Sequence, residues 1–315
     1  MKNKAHLETI NHFSCVVLDA AKCHKAWEKA FNVQIPAMMA PQEDMPDDLL
    51  SLFNNVPTYR GGPWPEPKDY GVDQPLLAPF YQPEQKMIEV KAAGCMPSLT
   101  EFYDRFGAGV QYFGIVEGDN RDPFLDELKE RYSVEKLEEL FYDPMPGDFC
   151  VAETEKLLGF NICVKQDGAL NGLIEESIPA TIEAAIVVPA LEEAVRNWTE
   201  IFEIQEPEIR TVMETGLLRG KKKEFSFRYA RVDGAPFVLY LVEGTAASPF
   251  ADFAEKNGFG IHHITFRMDE DRAAFIARMK NGLGIDVLTE YDLEDRHYIV
   301  FDSAELMGAN IAITR

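Results

Sequence analysis

Apolar positions along the chain follow two periods. Residues 12–18 form an almost unbroken apolar run of strand length, and Ala20, Cys23, Trp27, Ala30 and Phe31 then recur at helical spacing. A further strand is expected to end at 87–92. The same order returns with a strand at 110–116, a helix at 123–132 and short strands near 139–142, 149–152 and 160–164. A third set is expected at 181–188, 190–202 (helix), 224–232 and 236–243. A fourth follows at 260–268, 270–280 (helix), 285–291, 296–302 and 309–314. Strand, helix, then three strands, four times over, with short antiparallel connections, predicts an α+β fold of four βαβββ modules rather than a doubly wound sheet.

The second half echoes the first. His12 to Val17 lies over Glu183 to Val188 at an offset of 171, which also pairs Trp27 with Trp198, Phe31 with Phe202 and Gln34 with Gln205. Residues 98–112 lie over 249–263 at an offset of 151, matching Phe102 to Phe253, Gly107 to Gly258 and Gly109 to Gly260. Residues 157–164 lie over 306–313 at an offset of 149, matching Gly159 to Gly308 and Asn161 to Asn310. Identities that keep order and near-constant spacing over three blocks indicate a tandem duplication. The halves are expected at 1–172 and 173–315. The fall in offset from 171 to 151 places about twenty extra residues in the first half, within a segment at about 36–83. That segment holds ten of the 19 prolines, which argues against regular structure. It also holds Phe53, Tyr59, Trp64, Tyr70, Phe80 and Tyr81, which argue for a loop packed over something, either a lid or a cover for a sheet edge.

Composition bounds the rest. With 46% hydrophobic and 27% charged residues the chain is globular in character. A net charge of −22 opposes nucleic acid and anionic lipid surfaces as partners. No apolar run has signal-peptide or membrane-spanning length, so a cytoplasmic location is expected. Cys15, Cys23, Cys95, Cys150 and Cys163 are scattered, without a C-x-x-C pair, and read as reduced thiols. Ser-His-Asp signatures, phosphate-binding loops and the dinucleotide-binding glycine fingerprint are absent.

The four-module plan, with Gly258-Phe259-Gly260-Ile261-His262-His263-Ile264-Thr265-Phe266 between the third and fourth quarters, resembles the vicinal oxygen chelate superfamily. That group includes glyoxalases, methylmalonyl-CoA epimerases, fosfomycin-resistance proteins and extradiol dioxygenases. The resemblance covers all but the 36–83 segment. It implies two cup-shaped sheets of two modules each, with functional residues on the first and last strands of each module. Carried over by position, these are His12, Glu89, Tyr112 and Cys163 in one cup, and Glu183, Tyr240, His263 and Ala312 in the other. Neither cup has two histidines and a carboxylate, and Cys163 and Ala312 stand where a terminal glutamate is usual. The resemblance therefore implies either one divalent metal (Fe, Mn, Co, Ni or Zn), held by His263 and Glu183 or by His12 and Glu89, or a metal-free site.

Among these residues Glu183 stands in an otherwise apolar run, where burial of a carboxylate is costly unless it is paired. His263 occupies a ligand position, whereas His262, next to it, should point to the opposite face of a regular strand. Glu183, His263 and Tyr240 are therefore the first choice as catalytic groups, and His12, Glu89 and Tyr112 form a second candidate cup. Arg219, Lys221, Lys222 and Lys223 read as a solvated hairpin turn or an anion grip, and His297 is a weaker candidate. The expected activity is an isomerase or epimerase, or a lyase, that removes a proton beside a carbonyl of a small organic or CoA-linked substrate. A ring-cleaving metal-dependent dioxygenase and a non-catalytic binder of a hydrophobic molecule are the alternatives. A small-molecule substrate and a homodimer are the expected partners.

Overall fold

A computed structural model describes residues 6–34, 58–66, 68–72, 77–82, 86–94, 96–140, 149–166, 178–245, 247–268 and 271–314, with backbone alone at 77–82, 86, 87 and 140. The first apolar run forms β1 (Ile10–Val17), and α1 (Ala20–Phe31) follows at once. Asp19 starts α1 by accepting from the Lys22 amide, and Asn32 in the left-handed region (φ 55°) ends it. The helix buries Ala20, Cys23, Trp27, Ala30 and Phe31, the face that helical spacing marks in the sequence.

The remaining elements of the first half are β2 (Thr58–Tyr59), β3 (Gly62–Pro63), β4 (Leu77–Gln82), β5 (Lys86–Ala92), α2 (Pro97–Phe106), β6 (Gly109–Val116), α3 (Arg121–Tyr132), β7 (Lys136–Leu140), β8 (Phe149–Ala152), α4 (Glu155–Leu158) and β9 (Asn161–Lys165). They make a nine-stranded sheet in the order β3-β2-β7-β8-β9-β6-β1-β5-β4. The second half comprises β10 (Thr181–Val187), α5 (Leu191–Phe202), β11 (Ile209–Leu218), β12 (Lys221–Val232), β13 (Val238–Gly244), α6 (Pro249–Asn257), β14 (Gly260–Phe266), α7 (Arg272–Ala277), β15 (Val287–Leu293), β16 (Arg296–Phe301), α8 (Ala304–Met307) and β17 (Ile311–Thr314). Its eight strands close into a barrel in the order β10-β13-β12-β11-β15-β16-β17-β14.

The fold is thus α+β with two curved sheets, and the repeat is visible in the registers. His12 pairs with Met87 where Glu183 pairs with Val238, positions displaced by 171 and 151. His12 also lies opposite Gly114 as Glu183 lies opposite Thr265. The halves pack reciprocally into one apolar core. The Trp27 indole donates to the Met307 carbonyl (2.9 Å), and that of Trp198 donates to the Leu158 carbonyl (3.2 Å). Gly308 (φ 72°) passes so close to β1 that a Cβ there would lie 2.7 Å from the Cys15 Cβ. Gly159 (φ 90°) likewise leaves only 2.9 Å to Val188 and 3.0 Å to Ile186. Repeated tryptophans and glycines therefore serve the contact between halves.

Three differences from the sequence-based expectation have physical causes. The segments before β6 and β14, aligned in the repeat without an assigned structure, are helices α2 and α6, each with proline in its first turn. Strand β11 was not expected because it carries little apolar patterning; its residues are mostly exposed or half-buried, and its ladder with β12 holds it. The two sheets also close differently. In the second half β11 pairs with β15, whereas in the first half β7 receives the short hairpin β2–β3 from the proline-rich segment. From this hairpin region Tyr59 and Trp64 pack over the first sheet, and Tyr70 packs on Tyr103. Phe53 lies outside the described residues, as does Cys95, and the side chains of Phe80 and Tyr81 are not described.

Candidate functional site

In the first half Phe13, Cys15 and Val17 of β1 face the helices, so His12 and Ser14 face the cup. Glu89 and Lys91 join them from β5, Tyr112 from β6, and Cys163 and Lys165 from β9. Leu137, Phe149 and Val151 form apolar walls with Tyr112 and Cys163, and Tyr59, Trp64 and Met96 pack over that cluster. The same three capping residues line a neighbouring cavity of about 390 Å³.

These polar side chains converge. The fully buried His12 ring donates through Nδ1 to Asn11 Oδ1 (2.6 Å), because that oxygen can only accept. Its Nε2 lone pair therefore points into the cup, 3.6 Å from Glu89 Oε2 and without a hydrogen-bond partner. Room for the ring depends on Gly114 across the ladder, since a Cβ there would overlap the imidazole, 2.6 Å from Nε2. Glu89 is paired with Lys91 Nζ at 2.9 Å and with Lys165 Nζ at 3.6 Å. Lys91 also donates to the Tyr112 oxygen (2.6 Å), which leaves the phenolic proton free to be given elsewhere.

Electrostatics follow from that packing. Burial pushes the His12 pKa well down, helped by Lys165 and Lys91 against Glu89, so the ring is neutral. Burial alone would raise the Glu89 carboxyl, but Lys165 and Lys91 reverse this and hold it well below the usual range. Lys91 stays charged, since Glu89 and Tyr112 outweigh its burial. Buried Glu138, on β7, accepts from the Ser98 hydroxyl while its Oε1 has no partner. Burial brings its pKa up to about 7.

The second cup is a barrel packed with aromatic rings. Phe225, Phe227, Tyr229, Tyr240, Phe250, Tyr291 and Tyr298 fill it, and Tyr291 stacks on Tyr298 at 5.1 Å. Glu183, Tyr240 and His263 all reach this interior but have separate partners. Glu183 is tied to Arg296 near the rim and lies beside the Tyr298 hydroxyl. The Tyr240 hydroxyl donates to Glu294 (3.3 Å), which also takes Arg231 (2.9 Å). His263 sits one pleat further along, in the row of Ala185 and Tyr240, with Nε2 3.3 Å from the Tyr291 hydroxyl and Nδ1 2.8 Å from His262 Nδ1.

The contact between the two histidines corrects the expectation that they face opposite ways. Ala185 pairs with His263 but Ile186 pairs with Ile261, so His262 is the extra residue of a β-bulge and its ring falls beside that of His263. Burial lowers His263 strongly and takes His262 down to about 3. Burial raises Glu183, opposed by Tyr298 and Arg296.

Among the described residues, neither cup presents a ligand set that suits a divalent metal. Two ammonium groups already flank Glu89, so it offers no unopposed anionic ligand. In the barrel both nitrogens of His263 are engaged, Glu183 carries Arg296, and Ala312 has no donor atom. Among the described residues no group of three or more His, Cys, Asp or Glu is arranged to hold a metal.

Of the other candidates, Lys221, Lys222 and Lys223 are exposed beside the β11–β12 turn, and Arg219 pairs with Asp302 (3.1 Å). His297 binds Asp292 (2.6 Å) on the outer side of its strand, opposite to Tyr298. Cys15, Cys23, Cys150 and Cys163 are buried free thiols. Lys91, Lys165, Glu138 and Arg296 were not identified from sequence. For Lys91 the cue was its place two residues after Glu89, which puts both on one face of a strand.

No family model matches the sequence, and no curated protein does. Solved structures do match. A triple mutant of 4-hydroxymandelate synthase from Streptomyces coelicolor is similar over 98% of this chain and 92% of its own, with TM-score 0.59 and 11% identity. A xylose isomerase-like TIM barrel/4-hydroxyphenylpyruvate dioxygenase fusion protein is similar over 99% of this chain and 49% of its own, with TM-score 0.50 and 13% identity. A methylmalonyl-CoA epimerase in complex with methylmalonyl-CoA and ammonium matches 43% of this chain and 93% of its own, with TM-score 0.31 and 19% identity. The likeness to the first two, with the strand order of the two sheets, gives the chain the vicinal oxygen chelate fold in its four-module tandem form. At such identities the likeness defines architecture, and chemistry has to be argued from the cup. Among the described residues no helix is long and apolar enough to cross a membrane.

Proposed function

We propose that the first-half cup is a proton-transfer site of the isomerase, epimerase or lyase kind, acting on carbon beside a carbonyl of a small organic or CoA-linked substrate. The observation that carries this reading is the buried His12 Nε2, a lone pair with no hydrogen-bond donor, in the same cup as the Lys91–Tyr112 pair. His12 takes the proton, and Glu89, 3.6 Å away, stabilises the imidazolium that forms. Tyr112, polarised by Lys91, gives its free phenolic hydrogen bond to the enolate oxygen. Glu138, half-protonated near neutral pH, is the second acid–base group. Glu183, His263 and Tyr240 support the reaction less well, because each is already held by a separate partner. A ring-cleaving dioxygenase is less well supported because neither cup offers a metal-binding set.

The test is incorporation of solvent deuterium into a panel of carbonyl compounds, followed by proton NMR. His12→Gln and Tyr112→Phe should each slow exchange by about 10²–10⁴-fold, the usual worth of a positioned acid or base. Exchange that persists unchanged in His12→Gln overturns the reading. Binding by the apolar walls without any exchange would instead favour a non-catalytic ligand-binding protein.

A further inference from the structure

Resting on that reading, we infer that Lys165 is the carboxylate-binding group of the cup, and that the substrate class is a small monocarboxylate whose reactive carbonyl is joined to an apolar body. Lys165 ends β9 at the rim, where its side chain keeps 17% of its surface exposed while His12 below it has none. Its ammonium makes no hydrogen bond to any described residue, and its carboxylate contact, Glu89 Oε1, is 3.6 Å away. Lys91, by contrast, donates to Tyr112 and lies 2.9 Å from Glu89 Oε2.

The charge balance of the cup points the same way. Among the described residues, the Lys91 and Lys165 ammonium groups both face the Glu89 carboxylate, beside neutral His12 and Glu138, whose pKa burial raises to about 7. A surplus positive charge in a largely dry cup is costly, and a ligand anion would offset it. The fold does not demand these lysines, because Val242 and Thr314 occupy the equivalent positions of the barrel. A single loosely held ammonium matches one negative charge, which favours a monocarboxylate over a phosphate ester. The apolar wall of Leu137, Phe149 and Val151 favours an apolar body for the rest of the ligand. Such an anion would also shield His12 from Lys165, one of the charges that hold its pKa down, so that binding readies the base.

The test is calorimetric titration of the full chain with butanoate, phenylacetate, their methyl esters and inorganic phosphate. Wild-type protein should bind the carboxylates and not the esters. Lys165→Met should weaken carboxylate binding by about 10-fold to 100-fold, the worth of a charge-assisted hydrogen bond. Lys165→Arg should restore most of it, and Lys165→Gln, checked for an unchanged melting temperature, guards against a folding defect in the methionine variant. Esters that bind as tightly as acids, phosphate that binds more tightly than either, or affinities indifferent to all three variants would overturn the inference. His12→Gln separates the two claims: it should keep carboxylate binding while losing solvent exchange. Exchange into keto acids that ignores Lys165→Met would leave the proton-transfer reading standing and refute the carboxylate site.

Discussion

Gly114→Ala is the smallest change that probes how the cup is built. The added methyl would overlap the His12 imidazole across the β1–β6 ladder, 2.6 Å from Nε2 and closer still to Cε1 and Nδ1. Two central strands cannot separate to admit it, so the ring must leave its rotamer and give up its bond to Asn11. Overpacking of this kind costs about 1–3 kcal/mol. The same methyl in a His12→Ala background meets a void, and replacing glycine in a strand should then be neutral or stabilise by about 0.5–1 kcal/mol. The double-mutant cycle should therefore return a coupling of about 1–4 kcal/mol, outside the additivity expected of independent sites. Urea unfolding of the four proteins at pH 8, where His12 is neutral in both states, measures it. A coupling within about 0.5 kcal/mol of zero would mean that His12 does not sit against Gly114. Exchange activity supplies a second readout, since Gly114→Ala should lower it nearly as far as His12→Gln.

Three further predictions concern the barrel, the contact between halves and the metal. Burial lowers the His262 pKa from 6.5 to about 3, so between those values the unfolded chain binds a proton that the native protein refuses. Its contribution is a loss of stability as pH falls from about 6.5 to about 3, at roughly 1.4 kcal/mol per pH unit. His262→Gln should flatten unfolding free energy against pH by that slope, and an unchanged slope would sink the assignment. Gly308→Ala combines a left-handed backbone with a methyl 2.7 Å from the Cys15 Cβ. It should cost about 2–4 kcal/mol and be visible as a lower urea midpoint. Elemental mass spectrometry after incubation with Fe, Mn, Co, Ni or Zn and desalting should find no near-stoichiometric metal, and a value close to one per chain would contradict the ligand argument.

Much of the fold was legible because its determinants are local or repeated. The apolar runs and the helical spacing around Trp27 and Trp198 mark β1, α1, β10 and α5 directly, and the offsets of 171, 151 and 149 reappear as matched registers and reciprocal contacts. What escaped was set by pairing. The bulge at His262 changes which way a side chain points without changing any residue type, so a period of two cannot reveal it. β11 is held by its neighbour's backbone, not by an apolar face, and Met213 on it is 86% exposed. His12, Glu89 and Tyr112 could be placed in one cup from the repeat alone. Lys91, Lys165 and Glu138 required knowing which strands lie side by side.

The duplication also separates what the fold needs from what the site needs. Residues identical between halves are structural where the contacts are described. Trp27 and Trp198 bond across the halves, Gly159 and Gly308 admit the opposite strand, and Asn161 and Asn310 accept from the turn preceding their strands. Inward-facing positions, which the shared architecture leaves free, have diverged: His12 against Glu183, Glu89 against Tyr240, Lys91 against Val242, Tyr112 against His263, Lys165 against Thr314. One set builds an open cup with charged groups under an aromatic cover, and the other fills a closed barrel with stacked rings. Buried charge is expensive and stacked aromatics stabilise. Under the function proposed above, the half that carries the electrostatic cost is also the half that carries the chemistry, and the filled barrel shares its apolar core.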